Sequence, residues 1–121
     1  LSWLKRTSPQ TFAQMQTILF CKDLLRWFMS GVAVTEETDA SAAGLLNWQT
    51  GRYDHDLLRI YDLEDASPKL PKIVKSDQIA GYVTESFARK TGLPAGIPIL
   101  GGLFDVNSCM LGSGITKEGQ Y

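Results

Sequence analysis

Residues 97–105 read Ile-Pro-Ile-Leu-Gly-Gly-Leu-Phe-Asp, an apolar run that ends on an acid. A short apolar stretch bounded by turn residues is the pattern of a strand covered on both faces, so a buried strand is expected over 97–104. Leu93-Pro94-Ala95-Gly96 is the turn before it, and Val106 to Leu111 reads as the first turns of a helix, broken by Gly112-Ser113-Gly114. A strand running directly into a helix belongs to α/β or α+β architecture, and such proteins place ligands at the mouth where the strand ends.

The rest of the chain supports that class. Ser8-Pro9 is a helix entry with serine as cap and proline at the first helical position, and Phe12, Met15 and Leu19 follow at helical spacing. Lys22 to Ser30 is a stronger helix, with Leu24, Leu25 and Phe28 as its apolar stripe and Gly31 as its stop. Val32 to Thr35 and Leu45 to Trp48 are strand candidates. Residues 36–41 are a polar loop or the entry to a turn of helix, and Thr50-Gly51-Arg52 is a turn. Asp54 caps a helix carrying Leu57, Leu58 and Tyr61. The prolines of Ala66 to Pro71 make that stretch a connector. Ile73-Val74 and Ile79 to Val83 are short strands around an Asp77 turn. Thr84 caps a helix through Phe87 and Ala88 that Gly92 stops.

Charge and cysteine usage narrow the class of partner. Lys and Arg total 12 against 13 Asp and Glu, a net charge of −1, which argues against nucleic acid or an anionic membrane surface. No apolar run approaches the roughly 20 residues of a membrane helix. Cys21 and Cys109 form neither a metal motif nor a disulfide framework, so a reducing, cytoplasmic setting is expected. The chain opens on Leu1-Ser2-Trp3-Leu4 without a methionine and reads as the middle of a helix from a longer protein.

Asp105 is the residue best placed for chemistry. Gly101 and Gly102 let a substrate or another backbone approach closely, and N–H groups at a helix start can hold a carboxylate ionised. The residues alone leave two readings: a helix cap, or a base that takes a proton from a hydroxyl. Other candidates read as structural. His55, between Asp54 and Asp56, reads as solvated. Asp62, Glu64 and Asp65 lack the spacing of a calcium loop, and Trp3, Trp27 and Trp48 read as core or interface. Cys109 reads as a buried thiol. Gly112 to Lys117 and Gly114 to Tyr121 are near misses to dinucleotide and phosphate loops, and turns explain them better.

Four blocks in register carry a resemblance that covers essentially the whole chain. They are Leu1 to Lys5 with Ser8-Pro9; Lys22-Asp23-Leu24-Leu25-Arg26 with Ser30-Gly31 and Val34-Thr35; Thr38-Asp39-Ala40-Ser41 with Leu45-Leu46 and Trp48 to Asp54; and Leu70-Pro71, Gly81 to Thr84, Thr91 to Pro98 and Gly101 to Asp105. The chain resembles the FGGY carbohydrate kinases, and its Gly-Gly-Leu-Phe-Asp form is similar to the branch of L-xylulose and keto-sugar acid kinases. The resemblance implies an α/β, ribonuclease H-like (actin-like ATPase) fold. Residues 1–121 would form one fragment, the second half of the N-terminal, sugar-binding domain.

It further implies phosphorylation of a sugar or keto-sugar hydroxyl by ATP with magnesium. Asp105 is then catalytic as the general base and binds substrate, with Gly102 and Asn107 as further substrate contacts. Val106 stands where many members carry Asn or Gln, and the Asp39-Ala40-Ser41 block, near the substrate side in the family, is mainly structural. The family's Asp-x-Gly-x-Thr phosphate loop and its adenosine-binding domain have no counterpart here. ATP and magnesium would therefore be held mainly outside this fragment, which alone would be inactive. The implied partners are a small sugar, ATP and the remainder of the kinase chain, with self-association left open. A non-catalytic binding or assembly module of the same fold is the competing expectation.

Overall fold

In a computed structural model that describes residues 1–120, the chain is a mixed α/β structure. Its elements run α1 (Ser2–Thr7), α2 (Pro9–Gln14), α3 (Cys21–Ser30), β1 (Val34–Glu36), α4 (Glu37–Ala42), β2 (Leu46–Asn47), β3 (Arg52–Tyr53), α5 (His55–Ile60), a 3-10 turn (Glu64–Lys69), β4 (Lys72–Val74), β5 (Ile79–Tyr82), α6 (Glu85–Thr91), β6 (Pro98–Leu100) and α7 (Asp105–Gly112). Strands β1 and β4 pair in parallel, Val34 opposite Lys72. A parallel pair needs a long crossover, and α4, the β2–β3 hairpin, α5 and the 3-10 turn supply it. Strands β5 and β6 pair antiparallel with a bulge between Ile79 and Gly81.

Most local expectations hold for clear chemical reasons. Ser8 and Pro9 open α2. The Asp54 carboxylate accepts the N–H groups of Asp56 (2.9 Å) and Leu57 (3.2 Å) at the start of α5. Thr84 Oγ1 accepts the Phe87 N–H at the start of α6. The main core collects Phe12, Leu45, Leu58, Leu63 and Ala66, with Met15, Ile18, Tyr53 and Leu70 packed around it. Burying a side chain such as Leu58 contributes about 1.5–3 kcal/mol. A smaller cluster of Val34, Val74 and Ala80 ties β1, β4 and β5 together.

Several expectations are corrected. Helix α2 ends at Gln14, so Leu19 lies outside it. The buried strand over 97–104 shrinks to Pro98–Leu100, with Pro98 and Leu100 exposed, because its partner strand begins only at Ile79, opposite Leu100, and Gly101 and Gly102 bond to the turn before it. Helix α3 is inverted: Leu25 and Phe28 are exposed while Asp23 and Arg26 are buried. Cys109 is exposed rather than buried, since α7 turns that face to solvent. Trp48 sits on the β2–β3 hairpin at 81% exposure and Trp3 is also exposed, which excludes a core role for either. Tyr121, which closes the Gly114–Tyr121 near match, lies outside the described residues.

The two glycines after β6 serve backbone packing. Gly101 donates its N–H to Gln78 O (2.9 Å), and Gly102 donates to Ser76 O (2.9 Å). A Cβ on Gly101 would lie 2.2 Å from Lys75 O, and Gly102 has φ +77°. The close approach that the paired glycines allow is therefore by the backbone of the turn between β4 and β5. Gly101→Ala is expected to destabilise the protein by about 2 kcal/mol or more, since backbone on both sides must move. A denaturant midpoint unchanged from wild type would contradict this packing.

Candidate active site at the start of α7

Asp105 is the first residue of α7, and Phe104, in extended conformation, occupies the cap position. The cap reading of Asp105 is thereby corrected by one residue. Its side chain is exposed, and among the described residues Oδ1 accepts only the neighbouring Val106 N–H at 2.8 Å. Among the described residues it makes no ion pair.

What fixes the start of α7 lies behind it. The Phe104 N–H donates to Thr38 Oγ1 at 2.7 Å. The Thr38 hydroxyl in turn donates to Glu36 Oε2 at 2.6 Å, using one donor and one acceptor as a hydroxyl can. Glu36 Oε1 accepts the Thr38 N–H (2.9 Å) and the Ser76 hydroxyl (2.6 Å). Lys22 Nζ closes the cluster, 3.1 Å from Glu36 Oε2 and 2.8 Å from Asp39 Oδ2. Glu36 is fully buried. Burial alone would push its carboxyl up. The hydroxyls of Ser76 and Thr38, the Thr38 N–H and Lys22 outweigh that and hold it below the ordinary value.

A second buried group anchors the same segment. The Arg26 guanidinium donates to Gly101 O, to Val34 O (2.7 Å) and to Asp23 Oδ1. It thus joins α3, the end of β6 and the start of β1. Burial pushes the Asp23 carboxyl up, against the Thr35 hydroxyl and the Arg26 charge, which pull it down.

The other candidates sit apart from the Asp105 carboxylate. Asn107 borders a shallow cavity of about 250 Å³ between α4 and α7, with Thr38, Ser41, Phe104 and Val106 among its walls. Asp105 does not line it. Residues two apart on a helix are separated by roughly 200°, so Asp105 and Asn107 face different ways. Gly102 lies in the turn behind α7, beside the Lys22 side chain. His55 is exposed. Lys5 Nζ occupies the acidic loop instead of a metal, 3.0 Å from Asp62 and 2.9 Å from Asp65. Among the described residues no three His, Cys, Asp or Glu side chains group to hold a metal ion. Among the described residues no helix is long and apolar enough to cross a membrane.

Sequence reasoning gave Lys22, Glu36 and Ser76 no part in the site. A signal for Glu36 exists: it follows Val34-Thr35 directly, so it ends a strand and opens a helix at once. An exposed carboxylate on a mount held this firmly can orient a hydroxyl and take its proton, provided the hydroxyl comes within hydrogen-bond reach.

Comparison with known proteins identifies the family. The family model described as the N-terminal domain of the FGGY family of carbohydrate kinases matches residues 1–112. A probable L-xylulose kinase of Haemophilus influenzae is 41% identical over 111 residues, covering 92% of this chain and 23% of that protein. The L-xylulose/3-keto-L-gulonate kinase of Escherichia coli is 40% identical over 118 residues, covering 98% of this chain and 24% of that protein. The crystal structure of a xylulose kinase from Rhodospirillum rubrum superposes with a TM-score of 0.86 at 27% identity, over 97% of this chain and 24% of that one. The chain thus spans about a quarter of the length of these relatives. With a family model along nearly its whole length and relatives named as kinases at 40–41% identity, the chain belongs to the FGGY carbohydrate kinases, in their N-terminal domain.

Proposed function

We propose that this chain is the base-bearing segment of a kinase that transfers the γ-phosphoryl group of ATP to a hydroxyl of a keto sugar, with Asp105 as general base. The observation that carries the proposal is the Asp105 carboxylate itself. It is exposed, makes no ion pair among the described residues, and sits on a helix start clamped by Glu36 and Thr38. A sugar hydroxyl is a weak nucleophile, and a positioned carboxylate both aims it and removes its proton. The relatives' names supply the substrate class: L-xylulose and 3-keto-L-gulonate are both keto sugars. Asn107, which faces the α4–α7 cavity and not the Asp105 carboxylate, would meet the sugar only from that side, and Gly102 keeps the turn behind the base free of side chain.

Among the described residues no group of side chains could hold a metal ion. ATP and magnesium are assigned to sequence outside residues 1–120. The exposed apolar side chains of α3, Leu25 and Phe28, fit packing against the remainder of a kinase chain.

The test is ADP release by the full-length protein that carries this segment, with ATP and a panel of L-xylulose, 3-keto-L-gulonate and glycerol. At least one keto sugar is expected to exceed glycerol by about tenfold or more in kcat/KM. ADP release independent of every sugar would refute the proposal.

A further inference from the structure

Resting on the reading of Asp105 as the base, we infer that Thr38 is a positioning residue for it, acting through the Phe104 N–H with Glu36 behind. Three observations meet here. The Phe104 N–H, at the cap position of α7, is satisfied by a side chain 66 positions away in sequence and not by its own helix. The hydroxyl that accepts it is itself oriented, because its proton goes to Glu36 Oε2 at 2.6 Å. Glu36 is anchored, being fully buried and bound to Ser76, to Lys22 and to the Thr38 backbone.

The path from buried anchor to carboxylate is therefore short and made of directed bonds: Glu36, Thr38 Oγ1, Phe104 N, then the next residue, Asp105. Without the hydroxyl, Phe104 N–H has no acceptor there and the helix start is free to rotate. The base moves with it. A shift on the order of 1 Å at a reacting group costs up to about a hundredfold in rate. Thr38 does not touch the base itself, so its effect falls on the catalytic step and not on nucleotide binding.

The test compares three variants of the full-length protein. Thr38→Val, which removes the hydroxyl at equal size, is expected to lower kcat per folded molecule about tenfold or more with KM for ATP unchanged. Thr38→Ser, which restores the hydroxyl, is expected to return kcat to within about twofold of wild type, the loss on misplacement being absent. Asp105→Asn serves as the reference for the base. If Asp105→Asn abolishes turnover while Thr38→Val keeps wild-type kcat per folded molecule, the positioning role is overturned and the base reading stands. Serine failing to rescue would also overturn it, assigning the effect to the methyl group. Near-normal turnover in Asp105→Asn would instead remove the base reading, and the inference with it.

Discussion

Asp105→Asn in the full-length protein is expected to lower ATP-dependent sugar phosphorylation by about 10²–10⁴-fold, the usual worth of a general base. Asparagine has nearly the same size and still accepts the Val106 N–H through its carbonyl oxygen, so α7 keeps its start. What it loses is the ability to take a proton. The loss should appear in kcat, because deprotonation of the hydroxyl belongs to the transition state and not to the bound ground state. The exposure of Asp105 makes the substitution a clean one, since no buried partner is left behind. Thermal unfolding should therefore be unchanged. A variant that retains more than about a tenth of wild-type kcat has lost less than a base contributes and would show that the proton leaves by another route.

The local grammar of the chain was readable where one residue dictates its own backbone. Asp54 and Thr84 open helices by accepting backbone N–H groups and Pro9 by its place at the first helical position, while Ser8 holds the cap position without a side-chain bond to the backbone. The Lys22–Ser30 helix was legible as a helix, but its orientation was not. Lys22, Asp23 and Arg26 define one face and Leu24, Leu25 and Phe28 the other, and either could turn inward. The choice fell on the charged face because Arg26 finds two carbonyls, Gly101 O and Val34 O, from segments 75 and 8 positions away. No local pattern encodes those partners.

The same limit governed the site. Asp105 was visible because it ends an apolar run and starts a helix. Its mount was not, because Glu36 with Thr38, Ser76 and Phe104 come from three places in the chain and meet only in the fold. Residues 97–104 misled for a related reason. Apolarity is shared by a buried strand and by a ribbon whose outer side chains stay uncovered, and only pairing with Ile79–Tyr82 distinguishes them.

Arg26→Leu is expected to destabilise the protein by about 3–5 kcal/mol, the cost of removing one partner from a buried ion pair. Three acceptors lose their donor at once: Asp23 Oδ1, Val34 O and Gly101 O. The last lies on the strap that leads to Asp105, so activity should fall with stability. The deficit carries a pH signature. Burial already raises the Asp23 carboxyl above its ordinary value of 3.8, and the Arg26 charge works against that rise. Without the charge the carboxyl climbs further. A carboxyl raised in the folded state binds its proton more tightly folded than unfolded. The variant is then least impaired in acid and loses stability as pH rises from the unfolded value through the folded one. Denaturant unfolding at about pH 5 and about pH 8 should show the larger deficit at the higher pH. Asp23→Asn added to Arg26→Leu removes the buried charge, so the double variant should recover part of the loss and flatten the pH dependence. An Arg26→Leu deficit below about 1 kcal/mol would mean that the pair stabilises no more than an exposed one. A deficit equal at both pH values would mean that Asp23 is not the group left stranded.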